Sequence, residues 1–149
     1  MNPFLLGPAE RLAVWRQLRN SLIHLTEEQQ LAAVAAFWAK APLLTFAYDV
    51  ERCHDWPTIW EMLHANAWGR NTVAIGMEAT LRLAGIAADR LTLCLMHDRT
   101  IPAVLLVLIV DDRWVLNYDW GLFRSYPSTD HYIIWKCQYI GRGYTILHG

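Results

Sequence analysis

The sequence has little charge, no run of basic residues and no long apolar stretch. Charged residues make up 18% of the chain and hydrophobic residues 54%, whereas a soluble domain usually carries about 25% charged residues. Thirteen Lys and Arg stand against fourteen Asp and Glu, for a formal net charge of −1. No basic patch is present to attract a phosphate backbone, so nucleic acid is not an expected partner. Weak net charge also means weak self-repulsion, which suits a protein that works inside an assembly. The longest apolar run, Ile101 to Val110, has ten residues, half of the about 20 that a membrane-spanning helix needs. It is rich in Leu, Val and Ile and reads as a buried strand, so no membrane span is expected. The opening residues Met1 to Pro8 lack a basic region and are broken by Pro and Gly. No secretion signal is expected, and a cytoplasmic location is.

Cysteine is also scarce. Cys53, Cys94 and Cys137 are an odd number, and none forms a CxxC pair or has a His at zinc-ligand spacing. A disulfide framework, a metal site and a cofactor are therefore not expected. What is abundant is tryptophan, with eight in 149 residues. Such a number calls either for a large aromatic core or for a surface that a partner covers.

Helical signals fill the first half of the chain. Leu12, Trp15, Leu18 and Leu22 recur at helical spacing after Pro8, which suits a first turn. Arg11, Arg16 and Arg19 fall mostly off that stripe. Thr26-Glu27-Glu28-Gln29 has the capping-box pattern, and the helix it opens must stop before Pro42. Together these segments predict an N-terminal helical hairpin over about 8–41. An irregular link, Pro42 to Asp55, carries Phe46, Tyr48 and Asp49. A short helix from Thr58-Ile59-Trp60-Glu61 ends near Asn66. A third long helix is capped by Asn71 or Thr72 and ends at Gly85, a left-handed cap. It is apolar on most sides, so it should be buried against a sheet.

After Gly85 the period changes to that of strands. Leu91 to Met96, Ala103 to Val110 and Trp114 to Tyr118 read as strands, the second apolar on both faces and so central. Asp111-Asp112 is a tight turn. Tyr132 to Tyr139 and Tyr144 to Leu147 flank Gly141-Arg142-Gly143 as a hairpin. The expectation is one α+β domain over 1–149, with helices packed on an antiparallel sheet.

Several pieces resemble a known family: Asp55-Trp56-Pro57-Thr58-Ile59-Trp60-Glu61-Met62-Leu63, Ala74-Ile75, Thr80-Leu81-Arg82-Leu83-Ala84-Gly85-Ile86 and Ala88-Asp89-Arg90-Leu91. Later pieces are Ala103-Val104-Leu105, Asp111-Asp112 and Trp114-Val115-Leu116. In this order they resemble the bacterial transglutaminase-like cysteine peptidases, over roughly 55–118. The resemblance implies a transglutaminase-like, papain-like core. It also implies a cysteine at the start of the buried helix, a histidine on the central strand, and an Asp or Asn that orients the histidine. Those three positions fall on Arg70, Pro102 and Asn117. Gly69 and Asn71, on either side of Arg70, supply no thiol either. Arg70 is a permanent cation and Pro102 has no proton to move, so the resemblance implies a catalytically degenerate relative.

Other residues carry chemistry outside these positions. Cys53-His54-Asp55 brings three triad residue types together, but adjacent side chains point apart, and a loop with a capping Asp55 is the simpler reading. Cys94 and His97, three apart on a strand, face opposite sides. His64 with Cys53 as a rearranged dyad has no support in spacing. Glu78 either lies on the one wet side of its helix or is buried and paired with Arg82 at i,i+4. The aromatics Trp56, Trp60, Trp68, Trp120, Phe123, Tyr126, Tyr132 and Trp135 flank the former active-site region and the C-terminal segment. Core packing accounts for most of them. Trp56, Trp60, Trp68, Trp120 and Phe123, with Arg70, are the candidates for a partner-binding surface.

Three functions follow as expectations. The favoured one is a non-enzymatic structural or adaptor protein on a dead peptidase fold, oligomeric with itself or other proteins; small phage-encoded proteins of this lineage suggest a virion component such as a tail, neck or capsid accessory protein. The second is an amidase or thiol hydrolase with relocated chemistry at Cys53 or Cys137. The third is a module that binds a peptide or carboxylate in the old cleft through Arg70.

Overall fold

A computed structural model describes residues 2–43, 52–100, 103–126 and 131–147. The segment with Phe46, Tyr48 and Asp49, and Pro102, lie outside the described residues. Helix α1 is Pro8–Leu22, α2 is Glu27–Trp38, α3 is Ile59–Ala65 and α4 is Thr72–Leu83. Six strands follow: β1 Leu91–Asp98, β2 Ala103–Val110, β3 Trp114–Asp119, β4 Leu122–Ser125, β5 His131–Ile140 and β6 Gly143–Leu147. They pair antiparallel in the order β4-β3-β2-β1-β5-β6. The α+β expectation holds.

Local chemistry sets the helix ends. Thr26 and Thr58 each accept from the backbone N–H three residues on, and Gln29 and Glu61 answer to the cap backbone, so both capping boxes form. Helix α4 closes at Gly85, whose φ is +116°. There Gly85 N–H donates to Arg82 O and Ile86 N–H to Leu81 O, both at 3.1 Å, satisfying two terminal carbonyls. Asp111 and Asp112 both have positive φ, 56° and 54°, and Arg113 N–H bonds Val110 O at 2.9 Å. That geometry is a type I′ turn, whose twist matches the β2–β3 hairpin.

Some expectations need correction. Asn71 precedes α4, but its side chain makes no cap; its Oδ1 accepts from Leu106 N–H on β2 at 3.0 Å. Asp55 does not cap α3 either, because Thr58 holds that place and Asp55 pairs with Arg52 at 2.9 Å. Arg11 is buried rather than off the stripe. It donates to Leu63 O at 2.7 Å, Leu6 O at 2.6 Å and His64 O at 3.4 Å. Leu63 and His64 sit in the last turn of α3, where carbonyls lack helical partners and a cation is favoured. Strand β4 was not expected at all; it has four residues, too few for a period to show.

The core lies between the helices and one face of the sheet. Ten of the twelve α4 residues are buried. They pack with Trp15, Leu31, Val34 and Trp38 above, and with Leu93, Leu106, Leu108 and Leu116 below. The N-terminal helices thus belong to this core, but they touch each other little: α1 packs mainly on α3, and α2 on α4 and β4. Cys94, Met96, Val107, Ile109 and Val115 form a second buried cluster on the opposite face of the sheet. This explains why β2 is apolar on both sides.

One hydroxyl organises the aromatic part of the core. Thr80 Oγ accepts from Trp15 Nε1 at 3.0 Å and from Trp38 Nε1 at 3.1 Å, and donates to Gly76 O at 2.6 Å. The Trp38 ring lies so close to α4 that a Cβ at Gly76 would fall 2.6 Å from it. Trp68 completes the group, with ring centroids 4.8 Å from Trp38. Thr80→Val should leave two buried indole N–H groups unpaired and cost about 2–4 kcal/mol. Thr80→Ser, which keeps the hydroxyl, should cost about 1 kcal/mol. Urea unfolding of both variants checks this; equal losses would show that the hydroxyl is not the organising group.

Candidate functional site at the start of helix α4

The backbone turns sharply into α4 at residues 69–72. Thr72 Oγ accepts from Gly69 N–H at 2.6 Å and donates to Gly69 O at 2.9 Å, closing that turn. Arg70 is thereby presented to the end of β3, where Asn117 has φ 70° and the β3–β4 register shifts. The left-handed backbone at Asn117 turns its carboxamide toward α4. Asn117 Nδ2 donates to Arg70 O and to Leu106 O, both at 2.8 Å. Arg70 Nη1 donates to Asn117 Oδ1 at 3.1 Å and Nη2 to Tyr118 O at 3.0 Å. The guanidinium lies 4.0 Å from the centre of the Trp120 ring. Burial lowers the Arg70 pKa, and the charge of Asp119 opposes that shift.

The corner is therefore closed by its own residues. Asn117 is 3% exposed and both ends of its amide are engaged. Arg70 spends one nitrogen on a side-chain carbonyl and another on a backbone carbonyl, and its face on an indole. The arrangement holds two chain segments together.

The sequence-selected residues do not gather in one place. Arg70, Asn117 and Trp120 meet, and Trp120 is 57% exposed. Phe123 packs edge-on against Trp114 at 5.2 Å. Trp68 is fully buried and donates to Asn66 Oδ1 at 2.9 Å, so its reading as a partner-binding residue is corrected: it is core. Trp56 is buried and Trp60 half exposed, and both line a cavity beside Arg82, at the far end of α4.

The cysteines are all buried. Burial pushes the Cys53 and Cys137 thiols upward in pKa and the Cys94 thiol up to about 12. Such thiols hold little thiolate at neutral pH. Cys53 Sγ is buried and donates to Tyr144 O at 3.6 Å, while the exposed His54 turns to Asp55 at 3.5 Å, so the thiol and the imidazole, though both line one cavity, have different partners.

Two polar clusters escaped the sequence reading in part or whole. Glu78, 1% exposed, receives Arg82 Nε at 3.1 Å and the Tyr144 hydroxyl at 2.8 Å. Desolvation pushes its pKa up, against the pull of Arg82. The i,i+4 spacing signalled Arg82, and nothing signalled Tyr144. At the end of β1, the fully buried Asp98 accepts from Thr100 N–H at 2.9 Å, Thr100 Oγ at 2.6 Å and the Tyr118 hydroxyl. These donors hold its pKa down to about 2. Among the described residues, no group of three or more His, Cys, Asp or Glu is placed to hold a metal, and no helix is long and apolar enough to cross a membrane.

No protein-family model matches the chain, and no curated protein matches it. Solved structures do. Legionella pneumophila LapG superposes with a TM-score of 0.70 at 18% identity, over 87% of this chain and 73% of that one. Its calcium-bound form gives 0.70 at 16% identity, over 88% and 76%. The EGTA-treated form gives 0.69 at 18%, over 87% and 73%. The fold is transglutaminase-like. At these identities the likeness is one of fold alone. In this transglutaminase-like frame, Arg70 and Asn117 stand where α4 begins and β3 ends.

Two outcomes are expected. Arg70→Ala removes two hydrogen bonds and a cation–π contact, and should lower stability by about 2 kcal/mol while leaving a folded protein by circular dichroism. A folded variant of unchanged stability would show that the clasp holds nothing. Asp98 has a folded pKa below its ordinary 3.8. Its contribution to stability is therefore complete above about pH 4 and lost as pH falls through about 2. Urea midpoints between pH 2 and 5 should fall less steeply for Asp98→Asn than for the parent.

Proposed function

We propose that this chain is a non-enzymatic, protein-binding unit built on a transglutaminase-like fold. The observation that carries this reading is the Arg70–Asn117–Tyr118 clasp at the first turn of α4. LapG is a bacterial transglutaminase-like cysteine protease, and thiol chemistry at such a helix start needs a thiolate beside a base. Here an arginine is engaged by backbone and amide oxygens instead. The buried, upshifted thiols elsewhere do not favour relocated nucleophilic chemistry.

A binding role draws support from the apolar surface next to the clasp. Trp120 and Leu122, at the β3–β4 turn, are 57% and 64% exposed. Tryptophan beside an arginine is a composition that protein interfaces favour. The narrower assignment, an accessory protein of a bacteriophage virion, rests on the sequence resemblance alone.

The catalytic half is tested with an iodoacetamide probe at neutral pH. All three cysteines should label slowly and at similar rates in the folded protein; one fast cysteine would overturn the non-enzymatic reading. The binding half is tested by light scattering after size exclusion, where a concentration-dependent oligomer or a complex is expected. A clean monomer that captures nothing from a virion preparation would count against it.

A further inference from the structure

A cavity of about 220 Å³ lies at the end of α4 opposite Arg70. Four aromatic side chains, Trp56, Trp60, Tyr139 and Tyr144, contribute to its wall, with Arg82 and Arg142. The wall is built rather than incidental. Buried Glu78 fixes two of its members, Arg82 and Tyr144, by direct hydrogen bonds. The Arg82 guanidinium is stacked 3.6 Å from the centre of the Tyr139 ring. Tyr144 meets Trp56 and Tyr139 with centroid distances of 5.2 Å each. The capping box at Thr58 holds the helix turn that carries Trp60. Side chains locked in this way lose little freedom when a ligand enters, which favours binding.

The charges decide what kind of ligand fits. Arg82 is neutralised by Glu78. His54, also on the wall, lies 3.5 Å from Asp55. Arg142 sits on the exposed β5–β6 turn and forms no ion pair among the described residues. No carboxylate is among the described residues that line the cavity. An aromatic box without acidic groups can hold a cation, but here one ring face is already taken by Arg82 and a second cation stands at the wall. The site is complementary to a planar ring that carries one negative charge.

We propose that this cavity binds a small aromatic monocarboxylate, with its ring among the Trp and Tyr side chains and its carboxylate on Arg142. This assignment is separate from the clasp at Arg70 and does not depend on whether the chain is an enzyme. It is tested by calorimetric titration of the full chain with phenylacetate, indole-3-acetate, phenylacetamide and phenethylamine. Both carboxylates should bind saturably, the neutral amide about tenfold more weakly, and the amine more weakly still. Arg142→Gln should weaken carboxylate binding about tenfold, the loss of one charge-assisted contact, with an unchanged thermal midpoint. Arg70→Ala should leave that binding intact. The proposal is overturned if neither carboxylate binds saturably, if amide or amine binds as well as the acid, if Arg142→Gln changes nothing, or if Arg70→Ala abolishes binding.

Discussion

The Thr80 hydroxyl accepts hydrogen bonds from the indole N–H groups of Trp15 and Trp38 and donates one to the Gly76 carbonyl. Tryptophan brings more apolar area into a core than any other residue, yet its N–H must find an acceptor there. A single threonine on α4 answers for two of them, one from α1 and one from α2. The N-terminal helices, which hardly touch each other, are thus referred to a common point on the buried helix. With Gly76 one turn earlier, Trp38 lies against the α4 backbone itself, and the rest of the aromatic core follows: Phe4, Phe37 and Trp68 pack around its ring.

With its middle fixed in this way, α4 presents two chemically different ends. The first turn is tied to β2 and β3 through Asn71, Asn117 and Arg70, all by neutral acceptors. The C-terminal half of α4 carries a buried ion pair of its own, and the Tyr144 hydroxyl ties that pair to β6. The first end closes on itself with both side-chain polar atoms of Asn117 engaged. The second leaves open space beside Arg142, which forms no ion pair among the described residues. A transglutaminase-like frame thus keeps its architecture while the polar groups around its buried helix serve cohesion at one end and a cavity at the other.

How much of this was legible in the sequence follows the range of the interactions. Features set within four residues were readable: both capping boxes, the Gly85 stop, the Asp111-Asp112 turn and the Gly141-Arg142-Gly143 hairpin. Arg11 was not, because its acceptors on α3 lie more than fifty residues away. Trp68 was misjudged for the same reason; its burial depends on Trp38 and Phe4, which no local pattern reports. The resemblance placed Arg70 and Asn117 at related positions, forty-seven residues apart. That they would bond to each other, and leave no acceptor open, is a matter of backbone direction at Asn117, which sequence spacing does not encode. The aromatic cavity was invisible for a related reason, since its walls come from the α3 entry, the end of α4 and the last hairpin.

The clasp also bears on how such a chain can change over time. A thiol placed at position 70 would leave Asn117 Oδ1 and the Tyr118 carbonyl without their donors, and the Trp120 face without its cation. A nucleophile at this helix start would therefore not be reached by one substitution without loss. The positions on β3 that now accept from Arg70 would have to change with it to recover what the first substitution lost. The hydrogen bonds that join α4 to β3 thus act as a ratchet on descent.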